Sequence, residues 1–316
     1  MLPTLSSNVV EALRLSNQRI VVVGAGGWLG MATLELLHMA LGDDAFDSRV
    51  VCFGARQREL SLRGGKAVPQ RPLDEIRTLT PRPSWLLHLA FLTKDKASKM
   101  TEADYVAANI RLSQIILDAL DPIGAEGLFV ASSGAAYFAD DATADPALRL
   151  YGSLKRADEA AFGAWAERQS KAAVIARIFN LSGPYISLDK PYALLDFIRC
   201  ALAGQPIVVR APYRVERGYV AIRELMSLVF TLLADHRDGT LIFDTGGDLI
   251  ELYDLAKLVA EIASVPAERV PITKPDANHY VGNDAAYVAL RSRYGIEPVS
   301  LQDQVDETYT YLAAAS

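Results

Sequence analysis

The chain has 316 residues, 51% of them hydrophobic and 22% charged, a composition that excludes a disordered chain and allows one large core with a smaller lobe. A net charge of −6 argues against a nucleic-acid partner. The two cysteines, Cys52 and Cys200, lie far apart without metal-type spacing, so neither a disulfide framework nor a metal site is expected.

Residues 1–18 lack the basic start and apolar run of a signal peptide. No apolar stretch reaches the roughly 20 residues of a spanning helix, so a cytoplasmic protein with no membrane partner is expected. Arg19–Val23 (RIVVV) reads as a buried strand and Trp28–Ala40 as a helix. A second strand spans Arg49–Phe53, a later one Trp85–Ala90, and a long helix Tyr105–Leu120. Strand Gly127–Ser132, helix Gly152–Glu167 and strand Ala172–Phe179 follow. Lys94–Met100 and Asp140–Ala147 read as polar loops. Strands separated by helices call for parallel pairing, hence an α/β, Rossmann-type doubly wound parallel sheet, with residues 1–179 as the dinucleotide-binding core.

After Asn180, prolines at 184, 191, 206 and 212 break the rhythm. Leu241–Asp244 and a helix from Leu252 look like parts of a smaller, interleaved C-terminal substrate lobe over residues 180–316. Segments near 214–245 are expected to return to the core.

Val23-Gly24-Ala25-Gly26-Gly27-Trp28-Leu29-Gly30 joins the first strand to the first helix. Glycines suit a tight turn that brings backbone against a pyrophosphate, and the helix N-terminus offers free N–H groups to the anion. Gly24, Gly27, Trp28, Leu29 and Gly30 are the cofactor candidates here. A NAD site usually carries Asp or Glu at the end of the second strand. This one runs into Phe53-Gly54-Ala55-Arg56-Gln57-Arg58, without an acid, and Asp43, Asp44 and Asp47 precede the strand. Arg56, with Arg58 as the lesser candidate, could pair with a 2′-phosphate. NADP(H) is therefore favoured over NAD(H); the alternative reading makes both arginines solvated loop residues.

Tyr151 and Lys155 stand four residues apart on one helix face. A phenol near pKa 10 is a poor acid–base at neutral pH, and a nearby ammonium would favour its phenolate. Lys155 could also hold the nicotinamide ribose. Ser133 follows a buried strand, where its hydroxyl could bond a reacting oxygen. Asn109 could hold a water or the backbone near the lysine. Alone, such a Tyr/Lys pair is more often surface decoration. His88 ends an apolar strand and reads as structural or cofactor-lining, while His38, His236 and His279 are scattered.

The ordered series resembles the extended short-chain dehydrogenases, the family of nucleotide-sugar epimerases, dehydratases and reductases. It comprises the glycine loop, HLA at His88–Ala90, Asn109, SSGAAY at Ser132–Tyr137, YGSLKRADE at Tyr151–Glu159, RIFNLSGP at Arg177–Pro184 and RGYV at Arg217–Val220. The resemblance implies Ser133, Tyr151 and Lys155 as catalytic residues, with Asn109 beside them. It also implies Leu89 and Ala90 along the cofactor, and Ser133, Asn180 and Arg217 toward a nucleotide-sugar, Arg217 on its diphosphate. Asp284 loosely resembles a later family position. The reaction implied is hydride transfer at the sugar C4 in a homodimer whose seam would use the two long helices; ordinary core packing is the other reading of those faces.

Ser133 is followed by Gly134-Ala135-Ala136, so the acid pair of the dehydratase branch is missing. No cysteine lies between Cys52 and Cys200, as relatives that combine epimerisation and reduction would carry. This leaves NADPH-dependent reduction of an NDP-4-keto-(6-deoxy)sugar as the favoured reading and a 4-epimerase with tightly held NAD(P) as the alternative. A catalytically silent dinucleotide sensor is the remote third.

Overall fold

The structure, a computed structural model, describes residues 3–93, 100–188, 190–235 and 237–315. The Lys94–Met100 loop falls almost wholly outside these residues, as does His236. Helix α1 (Ser7–Leu15) precedes β1 (Arg19–Val23), all five of whose residues are buried. The glycine loop leads into α2 (Trp28–Leu41), then α3 (Asp43–Arg49) and β2 (Val50–Gly54). No helix separates β2 from the next parallel strand. Instead β3 (Arg58–Ser61) turns back on β4 (Ala67–Pro72) as an antiparallel hairpin.

Then come β5 (Ser84–His88), α4 (Glu102–Leu120) and β6 (Ala125–Ser133). Helix α5 (Pro146–Gln169) begins well before the expected Gly152. Asp145 explains the difference: its Oδ1 accepts the N–H groups of Ala147 and Leu148, each at 3.1 Å, and Pro146 stands at the first helical turn. Strands β7 (Ala172–Ile178) and β8 (Asn180–Ser182) end this half.

The remainder holds α6 (Ala193–Leu202), β9 (Ile207–Val209), β10 (Val215–Ala221), α7 (Ile222–Ala234) and β11 (Gly239–Asp244). It continues through β12 (Asp248–Glu251), α8 (Leu252–Ala263), β13 (Ala267–Arg269) and β14 (Asn278–Tyr280) to α9 (Ala285–Arg293) and α10 (Leu301–Ala315).

The main sheet has eight strands in the order β11-β7-β6-β5-β1-β2-β4-β3, parallel throughout except for the β3 edge. Its central strands β1, β5, β6 and β7 are apolar on both faces because each face is covered. In β1, Ile20 and Val22 point into the layer shared with α2 and α7, whereas Val21 and Val23 point into the layer under α4 and α5. Burying side chains of this size stabilises by about 1.5–3 kcal/mol each. The sheet winds outward in both directions from β1, which puts the switch point, the usual ligand crevice of such folds, beyond the ends of β1 and β5.

Strand β11 lies at the far edge of this sheet beside β7, and α7 packs on the same layer as α2, so residues 222–244 rejoin the core. The lobe has its own apolar centre, including Leu195, Ile198, Ile207, Leu255 and Val259. Its sheet runs β12-β10-β14, with β8 pairing β10. No helix among the described residues is long and apolar enough to cross a membrane.

Candidate functional site

At the switch point the glycine loop leaves β1 and closes against the turn after β5. Gly24 has φ +90°, and a Cβ there would stand 2.6 Å from the Ala90 nitrogen. Only glycine fits both the conformation and the approach. The Leu89 N–H bonds the Val23 carbonyl at 2.9 Å, which ties the two loops. Gly27 is the N-cap of α2, and Leu29 and Gly30 lie in its first turn. This loop, with the free N–H groups of the α2 N-terminus, is a fit cradle for a dinucleotide pyrophosphate.

Trp28 faces the other way, across the cleft. Its Nε1 donates to the Pro184 carbonyl at 2.9 Å and its ring lies 5.3 Å from that of Tyr192. It therefore joins the core to the lobe as well as lining the cavity.

The cavity between core and lobe measures about 420 Å³, within the usual range for small-ligand sites. Ser133, Tyr151 and Lys155 form one wall; Asn180 and Arg217 also line it, as do Trp28 and Leu89. Ser133 ends β6, and its Oγ accepts the Ala135 N–H at 3.2 Å. Burial pushes the Tyr151 phenol well above its ordinary value, and the hydrogen bond from Ser133 opposes this only in part.

Lys155 is 4% exposed, and its Nζ donates to the Ala131 carbonyl at 2.8 Å. The Phe91 ring lies 3.8 Å from Nζ and packs edge-on against Tyr151 at 5.5 Å. Burial depresses the ammonium to about 8, despite the carboxylates of Asp158 and Glu159. This corrects the expectation that the lysine would draw the tyrosine toward its phenolate. Helical spacing aligns the two side chains, but a backbone carbonyl and an aromatic face hold the ammonium, and burial acts on the phenol in the opposite direction.

Asn109 lies 1% exposed on α4, outside the cavity lining. Its Oδ1 accepts the Leu92 N–H at 2.9 Å, and Tyr105 Oη donates to the Leu92 carbonyl at 2.7 Å. Of the two expected roles, holding backbone is the one this geometry provides. It anchors the loop carrying Leu89, Ala90 and Phe91, and does not touch the reactive groups. His88 sits buried behind the lysine, 3.5 Å from Asp158, and burial lowers its pKa, so it is a neutral interior residue.

On the lobe side, Asn180 donates to the Gly218 carbonyl at 3.1 Å, joining β8 to β10. Arg217 is held by the Glu216 and Asn278 carbonyls and by Asn278 Oδ1 at 2.7 Å. Its partners are neutral, which leaves the cation uncompensated at the cavity wall. Asp284 is the N-cap of α9, away from the reactive wall. Arg56 occupies an exposed turn after β2, where Gln70 holds its backbone carbonyl at 2.8 Å. The Arg58 guanidinium, not that of Arg56, lies against the glycine loop at Gly26.

Two neighbours of the reactive groups had escaped the sequence reading. Tyr280 of β14 places its hydroxyl 3.5 Å from Ser133 Oγ, with its ring beside those of Phe179 and Phe138. It arrives there because β14 pairs in parallel with β10, opposite Arg217, a contact with no local signature. Phe91 had a signal, since it directly follows the HLA run.

Residues 20–244 match the NAD dependent epimerase/dehydratase family. A probable UDP-glucuronate 4-epimerase of Rhizobium meliloti is 24% identical over 287 residues, 79% of this chain and 83% of that protein. Among solved structures, MoeE5 in complex with UDP-glucose and NAD superposes with a TM-score of 0.69 at 21% identity, covering 94% of this chain and 99% of that one. A UDP-N-acetylglucosamine 4-epimerase from Methanobrevibacter ruminantium gives a TM-score of 0.71 at 17% identity, covering 96% and 100%. The likeness to these structures is one of fold.

Proposed function

From the premise that the chain belongs to the NAD dependent epimerase/dehydratase family, we propose that it exchanges hydride at C4 of a nucleotide-activated sugar, with 4-epimerisation as the net reaction. The observation that carries this reading is the convergence of Ser133, Tyr151 and Lys155 on one wall of a cavity that Arg217 also lines. The relatives named 4-epimerases support the choice of reaction. A bound nicotinamide dinucleotide supplies or accepts the hydride.

The chain's own groups handle the proton and the charge. In the reductive half, Tyr151 Oη gives its proton to O4 as the ketone carbon gains hydride, and Ser133 Oγ donates a hydrogen bond to the same oxygen. In the oxidative half, with which epimerisation of the alcohol begins, Tyr151 as its phenolate takes the O4 proton as hydride leaves C4, and it holds that proton for the reductive half. Burial favours the neutral phenol, the form that donates in the reductive half. Lys155, fixed by the Ala131 carbonyl, keeps further N–H bonds with which it would hold the cofactor ribose. Arg217 offers its guanidinium to the diphosphate, for which a multi-donor planar cation is suited. Ser133 is followed by Gly134 and Ala135, so no carboxylate stands beside O4 to support dehydration.

Net reduction of a preformed NDP-4-keto sugar is the second reading. Two features favour it: burial that raises the Tyr151 pKa, and the missing acid at the end of β2, which suits NADP(H), a cofactor usually consumed stoichiometrically. The test is to denature the purified protein and identify the released dinucleotide by mass spectrometry, then to assay both reactions. Near-stoichiometric oxidised cofactor with interconversion of C4 epimers supports the epimerase. An empty protein that oxidises NADPH with an NDP-4-keto-6-deoxysugar replaces it with the reductase. Binding of dinucleotide with neither activity would reduce the protein to a sensor. The homodimer implied by the resemblance belongs to this proposal too: Ile110 on α4 is 56% exposed, and light scattering would detect a dimer.

A further inference from the structure

The crossover from β2 to β4 is made by a hairpin in place of a helix, and this places an edge strand beside the glycine loop. Arg58 on β3 and Gln70 on β4 are direct cross-strand partners, so their side chains project from the same face of the hairpin. That face meets the loop. A Cβ built on Gly26 would collide with Arg58 Nη2 and stand 3.0 Å from Gln70 Oε1. Gly26 has no positive φ, so what the missing side chain provides is room for the guanidinium.

A Cβ on Gly54, at the end of β2, would stand 2.5 Å from the Gln70 carboxamide. Gln70 is 3% exposed and its Nε2 is bound to the Arg56 carbonyl. A neutral amide therefore lies beside the end of β2, the place where an NAD site usually carries an acid. Arg58 is exposed, and its guanidinium forms no hydrogen bond or ion pair with any described residue. An exposed cation ordinarily gains little from such a position, and this one lies against the loop where a dinucleotide's adenosine end is received.

We infer that Arg58 and Gln70, presented by the β3–β4 hairpin, select the cofactor by its 2′-phosphate, Arg58 pairing with the phosphate and Gln70 keeping a carboxylate out of the site. The inference rests on the reading that the glycine loop receives a dinucleotide. It reassigns the selecting cation from Arg56, the nearer residue in sequence, to Arg58, because strand pairing brings residue 58 back toward residue 26.

The test is equilibrium binding of NADPH and NADH to the full-length protein by calorimetry, with no sugar substrate present, repeated with 2′,5′-ADP and 5′-AMP as fragments. The unaltered protein is expected to bind NADPH more tightly than NADH, and 2′,5′-ADP more tightly than 5′-AMP. Arg58→Ala should weaken NADPH and 2′,5′-ADP by roughly 10–100-fold, the range of a charge-assisted contact, and change NADH by less than about 3-fold. Gln70→Glu, a near-isosteric change that returns a carboxylate to the site, should shift preference toward NADH. Equal losses of both cofactors in Arg58→Ala would make Arg58 a pyrophosphate contact and overturn the assignment, as would a larger loss in Arg56→Ala. Binding of neither cofactor would overturn the dinucleotide reading together with it. Normal binding without sugar chemistry would leave the assignment standing and sink only the proposed reaction.

Discussion

The two ends of the cleft are built on opposite principles. At the reactive end, Ser133 and Lys155 are each tied to backbone, and Tyr151 and Lys155 are pushed in opposite directions by the same burial. At the end proposed to receive the adenosine, Arg58 is exposed, carried on an edge hairpin, and its guanidinium has no partner among the described residues. The difference separates two tasks. Proton transfer requires groups whose pKa and position are fixed before the substrate arrives, and desolvation and packing supply both. Choosing between cofactors requires only a charge that meets its counter-charge on binding, and a solvated arginine can supply that without the cost of a buried ion.

Breaking the reactive end should produce the largest effects. Tyr151→Phe removes the transferable proton and is expected to lower kcat by about 10²–10⁴-fold. Cofactor affinity should stay within about 3-fold; an unchanged kcat would take the phenol out of the mechanism. Lys155 makes the same end sensitive to pH. Its depressed pKa means that the folded state binds fewer protons than the unfolded chain between about 8 and the ordinary lysine value near 10.4. Its contribution is present above that upper value and is lost as pH falls through about 8. Removing the charge with Lys155→Met should abolish this slope, a difference of roughly 3 kcal/mol across the window. Denaturant melts of both proteins at pH 7.5 and 10 would measure it, and parallel profiles would contradict the buried ammonium.

Two smaller changes sharpen the contrast between chemistry and recognition. Arg217→Ala should raise KM for the nucleotide-linked sugar by roughly 10–100-fold with a lesser effect on kcat, as expected for a charge-assisted contact. A kcat loss with unchanged KM would move Arg217 from recognition to chemistry. Asn109→Ala leaves the Leu92 N–H without its partner and is expected to cost about 1–2 kcal/mol of stability. Because the same loop carries Phe91, cofactor affinity should fall as well; a stability loss alone would restrict Asn109 to the fold.

The parallel core could be read from β1, β5, β6 and β7, because strands buried on both faces are continuous apolar runs. The glycine turn, and the grouping of Ser133, Tyr151 and Lys155 on one cavity, were legible for a related reason: their spacing is local or lies at strand ends. The hairpin at Arg58–Pro72 was not, since β3 and β4 show at most one buried apolar residue each and carry two prolines. Tyr280 was invisible too, because a three-residue strand gains its place only from the partner it pairs with.

By itself the sequence determined the layered α/β core and the glycine turn, and it singled out the side chains proposed to react. These follow from period, polarity and glycine placement, which act over a few residues. Only the tertiary structure decided that Lys155 bonds a carbonyl and not the phenol, that Asn109 holds a loop, and that Arg58 rather than Arg56 reaches Gly26. Each of those outcomes depends on desolvation or on contacts between residues distant in the chain, and such contacts exist only once the chain has folded.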